Sequence, residues 1–230
     1  MIQKGFEVRY EYLFGRQFND RLKKMPVGYL PMGTLERHGD HLPMGLDTLK
    51  AHGICSYVAQ RVGGIVWPPH HYLGIHRKGA ERETFLADWG NLYISEVLGE
   101  KIFEELLARA SEMRFRVMVL YSGHYPGEQI DMIKAAAKCK WPRMKVLAYA
   151  EPGLLGNGDH AGLWETSLMA ALDAGLVRMD RIGPLNYRQH GWDPAHDPAK
   201  ASAALGQKAL ETICKQLGKD IRAALKKVRA

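Results

Sequence analysis

The chain has 230 residues, 46% hydrophobic and 25% charged, a balance that fits one globular domain over residues 1–230 with a substantial core. Its longest apolar runs, Val117–Tyr121 and Val146–Ala150, are far too short to cross a membrane. The formal charge of +7 is dispersed, with short clusters at Lys23-Lys24, Lys138–Lys145 and the tail KKVRA, and no nucleic-acid-binding module accompanies it. Solvated faces, rather than a nucleic-acid partner, account for such a pattern.

The opening MIQKGFEVRYEYLFG lacks an apolar segment followed by a small-residue cleavage site, so no secretory signal is expected. PVGYLPMG then reads as a short buried strand that runs into a glycine-rich loop. DTLKAHGICSYVAQRV follows as a helix, with Leu49, Ile54, Val58 and Val62 at near-helical spacing and Asp47 placed as an N-cap. GGIVWPP is a second strand, stopped by Pro68 and Pro69. After an irregular segment rich in His, Gly and Arg, residues 91–113 predict a helix with Val97, Leu98, Ile102, Leu106 and Ala110 on its apolar face.

FRVMVLYSG predicts a third strand, GEQIDMIKAAAKC a helix, and MKVLAYA a fourth strand. HAGLWETSLMAALDAG is a helix with Leu168, Met169 and Leu172 inward. A last helix over about Pro198–Lys227 carries Leu205, Leu210, Ile213, Leu217 and Ile221. Short apolar strands alternating with amphipathic helices predict an α/β fold of three layers, α/β/α, with a mainly parallel sheet. Cys55, Cys139 and Cys214 are an odd, widely spaced set in apolar-periodic stretches, which predicts buried thiols and a cytoplasmic protein.

The stretch LPMGTLERHGDHLPMGLD, residues 30–47, places Glu36, His38, His41 and Asp47 within twelve positions. Ordinary solvent loops collect Ser, Asn and Lys; carboxylates and imidazoles are the side chains that bind transition metals. Glu36 and His38, two apart in an extended segment, point to one side. The third strand ends at YSGHYPGEQ with His124 just past its carboxyl end, the fourth ends at Glu151, and Asp159, His160 and Glu165 follow in GDHAGLWETS. In parallel sheets, ligands sit outside the carboxyl ends of the strands. Zn, Mn or Fe suits such a donor set better than Mg or Ca, and Asp47 is placed to bridge two ions.

Singly, each residue has a plainer reading. Asp47 would be a helix cap, His38 and His41 loop residues bonded to backbone, Glu165 a helix-surface acid and His160 a first-turn residue. Independent surface residues, however, have no reason to cluster at one end of three βα units.

The sequence LPMGTLERHGDHLPMGLDT resembles the signature of the creatininase family, with its Leu-Pro-x-Gly, Glu-x-His-Gly-x-His-Leu-Pro and following Asp. SGHYPGEQ is similar to the family's second motif and DHAGLWETSLMAAL to its third. GWDPAHDPAKASAALGQKAL is similar to the entry to its last helix, so the resemblance spans roughly residues 26 to 225. It implies a creatininase-like fold in which Glu36, Asp47 and His124 hold one divalent metal, and His38 with Asp47 holds a second. The Glu that completes the second site in the family is replaced here by Pro126. Glu165 is the expected substitute and Glu128 the alternative. His41 is expected to pack or hydrogen-bond behind the ligands.

The implied activity is that of a dinuclear-metal amidohydrolase cleaving a C–N bond, as in a cyclic amide or formamide, through a metal-bridging hydroxide. His160, oriented by Asp159, is the expected proton donor to the departing nitrogen. The expected partners are a small-molecule substrate and further copies of the chain in a homo-oligomer, a hexamer by resemblance, with contacts around Trp67-Pro68-Pro69 and Trp89. Where the family's namesake carries a Trp-Asp pair that holds the creatinine ring, this chain has Gly156-Asn157, so creatinine is not the expected substrate. Arg77, Lys78 and Arg82 offer either an anion-binding set or a basic surface loop. A non-catalytic assembly role on the same fold and creatinine hydrolysis proper are the other readings.

Overall fold

Four parallel strands form the sheet, β1 (Val27–Met32), β2 (Ile65–Val66), β3 (Val117–Ser122) and β4 (Lys145–Ala150), in the order β2-β1-β3-β4. A computed structural model describes residues 7–76, 90–183 and 194–229. Every residue of β1 and β3 is buried, because helices cover both faces of the sheet. The strand period of two divides their side chains cleanly. Val27, Tyr29, Val117, Val119 and Tyr121 enter one core; Leu30, Met32, Met118 and Leu120 enter the other.

The first core is closed by α2 (Leu46–Val62), α6 (Leu163–Leu172) and α7 (Ala203–Arg229), through residues such as Ile54, Val58, Leu168, Ile213 and Leu217. The second is closed by α3 (Glu96–Glu112) and α4 (Gly127–Lys138), through Phe103, Leu107, Met132 and Ile133. A short helix α5 (Glu151–Leu155) follows β4 directly. The result is the expected α/β/α arrangement of three layers around a parallel sheet.

The chain leaves β1 toward β2 on one side and later returns to place β3 on the other. The order therefore reverses between β1 and β3, and their carboxyl ends flank a crevice that two diverging connections leave open. Glu36 and His124 lie just beyond those two ends. No helix among the described residues is long and apolar enough to cross a membrane.

Several local expectations are corrected. An N-terminal helix α1 (Gly15–Lys24), not among the expected elements, packs Phe18 and Leu22 against the second core. The second strand is only Ile65–Val66, since Pro68 and Pro69 have no N–H to continue the ladder. The apolar face of α3 is rotated from the one expected: Val97 and Leu98 are 62% and 47% exposed, whereas Gly99, Phe103, Leu107 and Ala110 are buried. Gly99 explains the rotation, because a Cβ there would stand 2.7 Å from Met132 Sδ; the contact needs a residue that hydrophobic periodicity does not count.

The last helix begins at Ala203, and Pro198–Lys200 forms a separate 3-10 turn whose Ala199 N–H donates to the Asp197 carboxylate. Leu205 is only half-buried. Of the three cysteines, Cys55 is buried, Cys214 half-buried and Cys139 exposed, so buried thiols hold fully for Cys55 alone. Trp67 is no surface residue: it is 5% exposed and packs edge-on to Phe115. Arg77, Lys78, Arg82, Trp89 and the Gly191-Trp192-Asp193 start of the fourth motif lie outside the described residues.

Candidate metal centre

Two glycines open the space in which the centre is built. A Cβ on Gly33, just after β1, would meet Asp47 Cβ at 2.5 Å; one on Gly123, just after β3, would meet the Asp47 carbonyl oxygen at 2.0 Å. Their bareness lets the first turn of α2 drop between the two strand ends. Asp47 is thereby delivered to the crevice and is 1% exposed. Its expected role as an N-cap is corrected: Gly45 holds that position without a side-chain cap, and Asp47 lies inside the first turn.

Around Asp47 the expected donors converge. One carboxylate oxygen, Oδ1, is 3.1 Å from His38 Nε2, and the other, Oδ2, is 3.2 Å from His124 Nδ1. His124 Nδ1 is also 3.0 Å from Glu36 Oε1. His38 Nε2 is 3.6 Å from Glu165 Oε2. Two groups thus have ligand atoms close enough to hold an ion: Glu36, Asp47 and His124, and His38, Asp47 and Glu165. They share Asp47. A third grouping of Glu36, His38 and His160 meets the same distance test.

The imidazoles are aimed by backbone carbonyls. His38 Nδ1 lies 3.0 Å from the Glu36 carbonyl oxygen, and His124 Nε2 lies 3.0 Å from that of Ile75. A proton on each of those nitrogens makes the bond and leaves the lone pair of His38 Nε2 and of His124 Nδ1 facing the carboxylates. His38 Nε2 and Asp47 Oδ2 are fully buried yet have no partner in hydrogen-bond geometry. Unsatisfied buried polar atoms are costly, and a cation placed between them would satisfy both. The residues present therefore fit a metal centre.

Charge tells the same story. Burial alone would raise the Glu36 carboxyl, but the adjoining His124 outweighs it and holds Glu36 well below the usual carboxylate range. Burial would lower His38, but Asp47 and Glu165 push it up to about 9, and Glu36 raises His124 likewise. Without a metal, protons on these imidazoles supply the positive charge that the acids demand. A metal would displace them.

Glu165 is 2% exposed, so the reading of it as a surface acid is corrected. Its Oε1 accepts from Lys50 Nζ at 2.5 Å and from the Tyr125 hydroxyl at 3.0 Å, and its Oε2 accepts from the Ala161 N–H at 2.7 Å. Glu128 points elsewhere, with Oε1 3.7 Å from His76 Nδ1. Of the two candidates for the missing carboxylate, only Glu165 is brought to His38 and Asp47.

His160 is 31% exposed at its side chain and stacks on the His38 ring at 4.3 Å. Its Nε2–H donates to the Arg37 carbonyl at 2.8 Å, which leaves Nδ1 toward the crevice, 3.6 Å from Glu36 Oε1. Asp159 has another occupation than the one expected. Its carboxylate accepts from the Trp164 and Glu165 N–H groups at the start of α6, so it fixes Glu165 in place, and the group bonded to His160 is the Arg37 carbonyl. His41 Nε2 lies 3.1 Å from Thr166 Oγ1, behind the centre, where it braces the loop against α6.

Three participants were not singled out from the sequence. The Tyr93 hydroxyl donates to Glu36 Oε2 at 2.5 Å, Tyr125 bonds Glu165, and Lys50 pairs with Glu165 and Glu151. Tyr125 adjoins His124 in its motif, a signal that was there to use; Lys50 and Tyr93 have none. Glu36, Asp47, His124 and Glu165 open into a cavity of about 360 Å³ that is also lined by Arg37, His76, Tyr93, Tyr125, Pro152 and Gly158.

Comparisons with known proteins give the family and the fold. A family model described as creatinine amidohydrolase matches residues 11–221. A creatinine amidohydrolase of Pseudomonas putida is 28% identical over 214 residues, covering 82% of this chain and 81% of its own. A mycofactocin precursor peptide peptidase of Mycobacterium ulcerans (strain Agy99) is 26% identical over 171 residues, covering 70% of this chain and 64% of its own. Among solved structures, a manganese creatininase superposes with a TM-score of 0.71 at 24% identity, covering 96% of this chain and 99% of its own, a likeness of fold. With nearly its whole length matched, and with the signature residues folded into one crevice, this chain belongs to the creatininase family.

Proposed function

We propose that the protein is a metal-dependent amidohydrolase that cleaves a C–N bond of a small molecule, using two divalent transition-metal ions held side by side. The single observation that carries this is Asp47, whose two oxygens face one donor set each, Glu36 with His124 and His38 with Glu165. A bridging carboxylate is the device that holds two ions a few ångströms apart. Bound there, such ions supply Lewis acidity and lower the pKa of water toward neutrality. The manganese relative and the mixed carboxylate–imidazole donors favour Mn, Zn or Fe.

The chain's own residues do the rest. His160 presents Nδ1 to the cavity while its Nε2–H stays on the Arg37 carbonyl, so a proton carried on Nδ1 is aimed at a leaving nitrogen. That proton is needed because an amide anion is too basic to depart. Asp159 contributes by capping α6 and holding Glu165. Tyr93 steadies the second oxygen of Glu36. Tyr125 and Pro152 wall the cavity and exclude water.

Creatinine is not the favoured substrate. Gly156 and Asn157 are both exposed and neither lines the cavity, so nothing from that position clamps a small ring. Another cyclic amide, a formamide or, as the peptidase relative suggests, a short peptide amide fits better. The intact Glu36-His38-Asp47-His124 set argues against a non-catalytic assembly role. We further place the enzyme in the cytoplasm and in a closed homo-oligomer, a hexamer. The free thiols and the exposed Phe14, Tyr72, Val97 and Leu98 support those two readings.

The test is metal content. Purified protein should hold close to two transition-metal ions per chain, or take them up after chelation, and Asp47→Ala should lose both. Full occupancy in that variant would remove the bridge and the dinuclear reading with it.

A further inference from the structure

Lys50 is a charged side chain that the proposed chemistry leaves unused. It lies in α2 one turn after Asp47 and is fully buried. Its ammonium is 2.5 Å from Glu165 Oε1, 3.4 Å from Glu151 Oε2 and 3.3 Å from the Gly123 carbonyl oxygen, and it stands 4.9 Å from the centre of the Tyr125 ring. Removing an ammonium from water costs several kcal/mol by order of magnitude unless partners compensate it, so this charge belongs to the cluster of acids around it.

Its position makes the two ion sites unequal. At the Glu36–Asp47–His124 site, Glu36 Oε1 faces His124, and Asp47 Oδ2 is buried with no hydrogen-bond partner. The carboxylates there are faced by imidazoles: His38 and His124, which would themselves be ligands, and His160, whose Nδ1 is 3.6 Å from Glu36 Oε1. At the His38–Asp47–Glu165 site, by contrast, both Glu165 oxygens already accept hydrogen bonds. Lys50 and Tyr125 hold Oε1, and the Ala161 N–H holds Oε2. A carboxylate hydrogen-bonded to an ammonium is a poorer donor, and the ammonium repels an incoming divalent ion.

We propose that Lys50 is a resident cation of the centre, which makes the His38–Asp47–Glu165 position the weak, exchangeable one and leaves the Glu36–Asp47–His124 position tight. Glu151 supplies the complementary device. Its Oε2 is buried, has no hydrogen-bond partner and lies 3.4 Å from Lys50, so it is placed to take the ammonium when an ion draws on Glu165. The Tyr121 hydroxyl, which donates to Glu151 Oε1 at 3.0 Å, anchors that acceptor in the core. Occupancy of the second position then follows the metal supply. This proposal rests on the dinuclear reading above.

The experiment is a titration of chelator-stripped protein with Co²⁺, read by equilibrium dialysis with metal analysis and by the visible absorption of each bound ion. Unmodified protein should fill in two steps whose dissociation constants differ by roughly 10–100-fold, the reach of a residue that acts on a metal through its ligand. The charge-balanced variant Lys50→Met with Glu151→Gln should tighten the second step by about 10-fold or more and leave the first unchanged. Glu151→Gln alone should weaken the second step, since Lys50 then has nowhere else to go. Two equal steps in the unmodified protein would overturn the role of Lys50 while the dinuclear centre stands. A second step unmoved in both variants would overturn it as well. Uptake of no metal would instead remove the centre, and this proposal with it.

Discussion

Gly123 is bare where a Cβ would stand 2.0 Å from the carbonyl oxygen of Asp47. The obstacle is backbone, which cannot rotate aside as a side-chain tip can. Gly123→Ala should therefore push the first turn of α2 away from β3 and carry Asp47 with it. We expect a loss of ~1–3 kcal/mol in stability, the usual cost of overpacking, together with loss of metal. Gly153→Ala is the control, because a Cβ there meets nothing within 4 Å. Equal metal content in the two variants, measured after dialysis, would show that the close approach does not position Asp47.

The replacement of the family's second-motif Glu by Pro126 gives a second prediction. Glu165→Gln should empty mainly the His38 position, whereas Glu128→Gln should leave both positions filled. The lesions differ because Glu165 reaches His38 at 3.6 Å while Glu128 reaches His76. Stoichiometry by metal analysis decides it, and the reverse pattern would transfer the role to Glu128. Glu165→Gln also leaves Lys50 with one acid fewer, so its thermal stability should fall even with metal present.

Three of the donors around Asp47 were legible because their spacing is tied to strand ends: Glu36 and His38 leave β1, and His124 leaves β3. The parallel sheet was legible for a similar reason, since unbroken apolar strands mean two covered faces. Lys50 was not. In a local window it reads as a solvated helix residue, and only acids distant in sequence, Glu165 (115 positions away) and Glu151, make its burial tolerable. Tyr93 likewise acquires its role from Glu36, 57 positions earlier. The buried face of α3 differs because Gly99, which contributes no hydrophobicity, sits against the Met132 side chain of α4.

A pH prediction follows from the raised imidazoles. In the chelated protein the folded His38 holds its proton up to about 9, against an ordinary value of 6.5, because Asp47 and Glu165 outweigh the cost of burial. A raised folded-state value stabilises fully below the unfolded value and is lost as pH climbs through the folded one. The chelated protein should thus melt at progressively lower temperature between about pH 6.5 and 9. The metal-loaded protein should not, because ions replace those protons. At pH 7.5, metal uptake should release about two protons, one each from His38 and His124. Calorimetry in buffers of different ionisation enthalpy measures that number, and zero release would mean the imidazoles are not ligands.

His160 carries the last prediction. Its ring is held by the Arg37 carbonyl at Nε2 and turns Nδ1 to the cavity, 3.6 Å from Glu36 Oε1. His160→Ala should keep both metals yet slow amide cleavage by ~10²–10⁴-fold, the reach of general acid catalysis. An ester analogue with a good leaving group should lose far less, since its departure needs little help from a proton. The contrast matters because His160 also lies within ligand distance of Glu36 and His38. Loss of one ion in His160→Ala would make it a ligand, and equal losses on amide and ester with both ions kept would make it a positioning residue. Only a selective loss on the amide, at full metal content, identifies His160 as the proton donor.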